Sequence, residues 1–239
     1  VKDFLLGARQ VRDHIEKTPI EKNPLFILAG EFIRHSGKRP IHVCMPYSTR
    51  LRSFGTWFAQ LWGESLGKDG KGFTPIAAVG ATDQHSILQL LRDGPNDKVT
   101  WFLTVGELPD PVAIPKGPLS PTGGTYEAFE LLQGHSLQEL LMTEYQATSL
   151  VLSRNNRPQV TLQLDSLEER SLGALLYTFS VLTALTGTAW GINPFDQPGV
   201  EEGKVYTRDS LIRARQNAEQ RAMEDDTHSP VNRLRRQQD

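Results

Sequence analysis

The run Ile41-His42-Val43-Cys44-Met45, closed on either side by Pro40 and Pro46, decides the fold class. It is short and rich in β-branched and apolar residues, which favours a strand buried on both faces. Residues 50 to 66 return to helical spacing. The alternation then continues. Thr74 to Val79 reads as a strand, Asp83 to Leu91 as a helix, and Val99 to Val105 as a strand. Residues 125 to 153 read as helix with a break near Gly134, Gln159 to Leu164 as a strand, and Leu167 to Leu185 as a strongly apolar helix. Strands separated by helices imply an α/β fold, a three-layer αβα sandwich with a mostly parallel sheet. Ligands of such sheets bind beyond the carboxyl ends of the strands. The polar residues singled out below each follow a strand-like or apolar run, as a shared site there requires.

Outward from this block, residues 2 to 18 carry an amphipathic helical pattern that Pro19 ends. A second such pattern covers residues 24 to 36. The stretch from Glu107 to Gly124 is rich in proline and glycine and reads as a loop. Further on comes Asn193-Pro194-Phe195-Asp196-Gln197-Pro198-Gly199-Val200-Glu201-Glu202-Gly203-Lys204. Here Asp196 is expected to cap a helix opened by Pro198, with Glu201 in its first turn. That arrangement presents Gln197 and Lys204 toward a ligand at a helix start. Helix resumes through about residue 223, and residues 224 to 239 read as a polar, basic tail.

The 239 residues suffice for one large domain or two small ones. A net charge of -2 argues against general nucleic-acid binding. Leu172 to Trp190 is broken by Thr, Ser and Gly and reads as a buried helix, so no membrane span is expected. The single cysteine, Cys44, excludes an internal disulfide and fits a reducing, cytoplasmic setting. No leader is visible. No His/Cys/Asp/Glu cluster has metal-ligand spacing, and neither a P-loop nor a Rossmann fingerprint appears, so no metal and no cofactor are expected. The chain opens on Val1 already in a helical pattern, which suggests a start inside a larger protein.

Three places can carry chemistry. Gln60, Glu64 and Lys68, spaced i, i+4, i+8, lie on one side of a helix. On spacing alone this is a solvated face with a Glu64–Lys68 pair worth a few tenths of a kcal/mol. Trp57, Phe58, Leu61 and Trp62 interleave with it, and a carboxylate beside such a surface can act as a base near neutral pH. His85 follows Asp83 at a helix start; a structural histidine and a proton carrier both fit. Lys204 reads equally as an ordinary surface lysine.

The Asn193–Lys204 stretch resembles a C-terminal signature of the glucose-6-phosphate isomerase (phosphoglucose isomerase) family. Ala59-Gln60-Leu61-Trp62-Gly63-Glu64-Ser65-Leu66-Gly67-Lys68 and Gly80-Ala81-Thr82-Asp83-Gln84-His85 resemble further blocks of that family, in the same order. Lys17-Thr18-Pro19-Ile20-Glu21-Lys22-Asn23-Pro24 and Met45-Pro46-Tyr47-Ser48 match between them. The resemblance implies a helical lead-in over 1–38 connecting to an absent N-terminal domain, a second sugar-isomerase domain over 39–205, and a helical C-terminal arm and polar tail over 206–239. It implies that Glu64 moves a proton between C1 and C2 of a sugar phosphate through a cis-enediol. Gln60 and Gln197 would hold hydroxyls or phosphate, and His85 and Lys204 would assist ring opening. His85 would act in the neighbouring subunit's site of a homodimer. The family's phosphate loop and its enediolate-stabilising arginine would fall upstream of Val1. The expected function is therefore interconversion of glucose 6-phosphate and fructose 6-phosphate, in glycolysis and gluconeogenesis, with these residues alone inactive. The alternative is a non-catalytic sugar-phosphate-binding or dimerisation module of the same fold.

Overall fold

The computed structural model describes residues 1–106, 111–116 and 126–227. Strands β1 (Ile41–Pro46), β2 (Thr74–Ala77), β3 (Lys98–Val105) and β4 (Gln159–Leu164) form one sheet in the order β2-β1-β3-β4. Every pairing is parallel. The helices are α1 (Lys2–Lys17), α2 (Pro24–His35), α3 (Arg52–Leu66), α4 (Gln84–Asp93), α5 (Tyr126–Leu132), α6 (Leu137–Arg154), α7 (Glu169–Trp190) and α8 (Glu201–Thr227). The expected α/β sandwich with a parallel sheet is what the chain forms.

Period-2 alternation sorts the strands between two cores. Cys44 of β1 and Val99, Trp101, Leu103 and Val105 of β3 pack with α2, α3 and α7. Val43 and Met45 of β1 and Phe102 of β3 face the other way, with Leu91 of α4 and Leu152 of α6. Because both faces are covered, the central strands read as unbroken apolar runs. The edge strand β2 differs. Thr74 and Ala78 donate their N–H groups to Pro40 and Cys44. By alternation Pro75 turns its donorless nitrogen to the open edge, which blunts the edge against further pairing.

The apolar helix α7 is long and apolar enough to cross a bilayer by length and composition. Here it is a core helix: Leu175, Phe179 and Leu182 are buried. Its outer side carries α1 at backbone distance. A Cβ on Gly7 would lie 1.8 Å from the Arg170 carbonyl oxygen, and one on Gly173 would lie 1.9 Å from that of Phe4. Only glycine permits this approach.

The helical pattern over 125–153 breaks near Gly134 as expected, into α5 and α6. They are separated at Gly134, whose φ of +81° needs glycine, and α6 opens on a capping box of Ser136 and Glu139. Part of the expected 107–124 loop is structured: Ala113 bridges antiparallel to Ser136, with Ile114 N–H donating to the His135 carbonyl. Residues 107–110 and 117–125 lie outside the described residues, as do residues 228–239 of the expected tail. Helix α8 continues to Thr227.

The chain divides into Val1–Phe195 and Asp196–Asp239. In the second unit the helix does not open on Pro198 under an Asp196 cap. A 3-10 turn, Pro198–Val200, comes first, with Gln197 at its N-cap and no side-chain cap, and α8 starts at Glu201. Proline suits the first position of a 3-10 turn for the same reason it suits an α-helix: its φ is already set and no donor is lost.

Candidate active site

Helix α3 runs back along the sheet. Gly55, near its start, packs on Ala77 at the carboxyl end of β2, where a Cβ would sit 3.3 Å from the Ala77 methyl. Two turns later Trp62 meets His42, near the start of β1, with ring centroids 4.9 Å apart. Trp62 also meets Phe73, just ahead of β2, at 5.3 Å. Glu64 therefore sits at the amino ends of the strands. This corrects the expectation that it stands with His85 at the carboxyl ends. The reason is helix rise: a residue twelve positions into the helix after a strand has travelled about 18 Å back.

At that end Gln60 Nε2 donates to Glu64 Oε1 at 3.2 Å. Gln60 is exposed and Glu64 half-buried. Fully buried Phe58, Trp62 and Leu66 anchor the opposite side of α3, so the carboxylate is held on a rigid face with its bound amide. Lys68, which spacing pairs with Glu64, donates to the Asn193 carbonyl, and Lys71 donates to that of Trp190. The Trp190 carbonyl is one left over where α7 ends, so the Lys71 contact is an arrangement the helix dipole favours. Gly187 allows the close fit, since a Cβ there would be 2.7 Å from Pro194. The last residues of the first unit, Asn193 to Phe195, are thereby tied beside the end of α3.

His85 stands at the other end of the sheet, in the first turn of α4. Asp83 builds that turn by accepting the Val79 N–H at 2.7 Å. Buried Gln84 pins it: its Oε1 accepts from the Tyr47 hydroxyl at 2.5 Å and from Thr148 Oγ1 at 3.1 Å. Burial pushes the Tyr47 phenol up to about 12, so it remains a donor at any physiological pH. With Gln84 turned inward, His85 turns outward, its side chain 71% exposed and its Nε2 3.7 Å from Glu144 Oε1. Glu144 and Thr148 carry no local sequence signal; they reach α4 from α6, about 60 residues away.

In the second unit, Lys204 Nζ lies 2.7 Å from Glu201 Oε1, one turn earlier on α8. Gln197 is exposed at the N-cap of the 3-10 turn. Both side chains are accessible, as a ligand contact needs.

The order of blocks and the sheet they are built on can now be set against known proteins. The phosphoglucose isomerase family matches residues 1–232. The chain belongs to that family. It is 43% identical over 211 residues to a glucose-6-phosphate isomerase of Rubrobacter xylanophilus, covering 87% of this chain and 47% of that protein. It is 37% identical over 217 residues to the one from Carboxydothermus hydrogenoformans, covering 87% and 46%. Among solved structures, a hypothetical protein of Thermus thermophilus aligns with a TM-score of 0.77 at 34% identity, over 87% of this chain and 50% of that one. A glucose-6-phosphate isomerase from Chlamydia trachomatis aligns with a TM-score of 0.66 at 25% identity, over 97% and 44%. The chain thus spans about half the length of the phosphoglucose isomerase relatives it matches.

Proposed function

We propose that this chain supplies the base-bearing part of a cytoplasmic glucose-6-phosphate isomerase. The observation that carries the reading is the Gln60–Glu64 pair: a half-exposed carboxylate on a rigid apolar helix, with an amide hydrogen-bonded to it at 3.2 Å. Proton transfer beside a carbonyl needs a carboxylate held in place. Glu64 takes the proton from C2 of the open-chain aldose. The electron pair moves through C1 onto the carbonyl oxygen O1; the proton of the O2 hydroxyl passes to O1 by way of the cis-enediol, and the same carboxyl returns its proton at C1, which leaves the ketose carbonyl at C2. Gln60 orients the carboxylate and a sugar hydroxyl. By resemblance Gln197 contacts the substrate, and Lys204 assists ring opening.

Within one chain Glu64 and His85 lie at opposite ends of the sheet. This supports a homodimer in which the exposed His85 imidazole serves a second copy's Glu64 and transfers the proton at the ring oxygen. Glu64→Gln in the full-length protein keeps the shape of the side chain and removes its basicity. Interconversion of glucose 6-phosphate and fructose 6-phosphate should fall by about 10²-fold or more. Turnover at the native rate would refute the assignment.

A further inference from the structure

We propose that the fold directs a spontaneous backbone modification to Asp69, whose link to Gly70 isomerises to an isoaspartyl bond. The chain holds two Asp-Gly pairs, Asp69-Gly70 and Asp93-Gly94. Such pairs are open to this reaction because glycine puts no side chain in the way of its own amide nitrogen. The fold leaves the first pair accessible and closes the second.

Asp69 and Gly70 are the central residues of an exposed turn after α3, closed by the Lys71 N–H donating to the Lys68 carbonyl at 2.8 Å. Both have positive φ, +53° and +71°, as the central residues of a type I′ turn do. Among the described residues, the Asp69 carboxylate accepts no hydrogen bond and joins no ion pair, and the Gly70 N–H has no acceptor. A Cβ on Gly70 would meet nothing within 4 Å, so the turn has room to change shape. Asp93-Gly94 is held shut. The Gly94 N–H caps α4 by donating to the Leu90 carbonyl at 3.1 Å. Asp93 Oδ2 accepts from Gln89 Nε2 at 2.8 Å and from Arg92 Nη1 at 3.0 Å. Reaction there must break the cap and free the carboxyl, and each bond lost slows the step about fivefold.

The chemistry needs no co-reactant but water. The Gly70 backbone nitrogen attacks Asp69 Cγ and gives up its proton, and the carboxyl's hydroxyl departs with a proton as water, which closes a cyclic imide. Water then opens the ring. Attack at Cγ restores the aspartate. Attack at the main-chain carbonyl carbon leaves the peptide running through Cβ and Cγ, with a free carboxylate on Cα. A water is lost and a water regained, and nothing is oxidised or reduced. The new linkage lengthens the backbone by one carbon between Lys68 and Lys71, the lysines that fasten to the Asn193 and Trp190 carbonyls. The modification therefore falls inside the brace that ties the end of α7 to α3.

The test is prolonged warming of the purified protein in mildly acidic buffer, followed by peptide mapping. An isoaspartyl peptide keeps its mass, separates from the aspartyl form on reversed-phase chromatography, and resists a protease that cuts before aspartate. The expected result in the folded protein is an isoaspartyl form at residue 69 that grows at least about tenfold faster than one at residue 93. In the chain unfolded by denaturant the two rates should converge. Asp69→Glu, which would have to close a larger ring, should abolish the product at residue 69 and leave residue 93 as it was. Absence of isoaspartate at residue 69 of the folded protein overturns the proposal. So does conversion of Asp93 at an equal or faster rate, and so does a gap between the two sites that survives unfolding unchanged.

Discussion

The Tyr47 hydroxyl donates to Gln84 Oε1 across 37 residues of chain, and this bond fixes the helix start that displays His85. Thr148 donates to the same oxygen. Tyr47→Phe leaves that oxygen one donor, so the loss of stability should be about 1 kcal/mol. Thr148→Val should cost about as much. The double variant leaves a buried acceptor bare, and its cost should exceed the sum of the two, about 3 kcal/mol in all. Denaturant unfolding of the four proteins gives the cycle. Strict additivity would mean that Gln84 is satisfied by some other group.

The α1–α7 contact makes a second prediction. Alanine at Gly7 or Gly173 would place a methyl under 2 Å from a carbonyl oxygen of the facing helix. Backbone cannot rotate aside as a side chain can, so the helices must separate. Either substitution should cost about 3 kcal/mol or more. Alanine at Gly203, where a Cβ meets nothing within 4 Å, is the control and should be neutral or slightly stabilising, since it sits inside α8. Thermal unfolding that ranks all three alike would contradict the close approach.

The central strands were legible because burial on both faces leaves a local trace. Val43-Cys44-Met45 and Trp101-Phe102-Leu103 contain no polar residue to hide. The long helices were legible through their period. Strand order was not, since it depends on which apolar runs meet in space. The Ala113–Ser136 bridge was missed because a backbone pairing next to prolines demands no side-chain pattern. The end of the sheet on which Glu64 lies follows from helix length, yet placing it requires knowing that α3 packs antiparallel to β1. The partners of Gln84 and His85 were out of reach for a simpler reason: Thr148 and Glu144 are brought to α4 only by the packing of α6.

His42 gives a pH dependence of stability. Burial among aromatic rings pushes its imidazole down to about 3, well below the ordinary value near 6.5. As pH falls below about 6.5 the unfolded chain takes up a proton that the folded chain refuses. Stability is therefore complete above that pH and drains away toward pH 3, on the order of 4 kcal/mol if the native fold persists that far. His42→Phe loses the acceptor for Trp101 Nε1 and should be less stable at pH 8. Its stability should nonetheless fall less steeply than the native protein's between pH 6.5 and 4.5. Parallel curves would show that His42 is protonated in the folded state.

Placement of Glu64 and His85 at opposite ends of one sheet makes the shared site testable without a dimer structure. Full-length Glu64→Gln and His85→Ala proteins should each turn over poorly. Unfolded together and refolded as an equal mixture, half of the dimers are hybrids. If His85 serves the partner, one site of each hybrid joins the two damaged residues, while the other joins native Glu64 to native His85. Activity should then recover to about a quarter of the native value. If both residues served the same chain's site, every site in the mixture would keep one lesion, and the mixture would be no more active than the average of its parents.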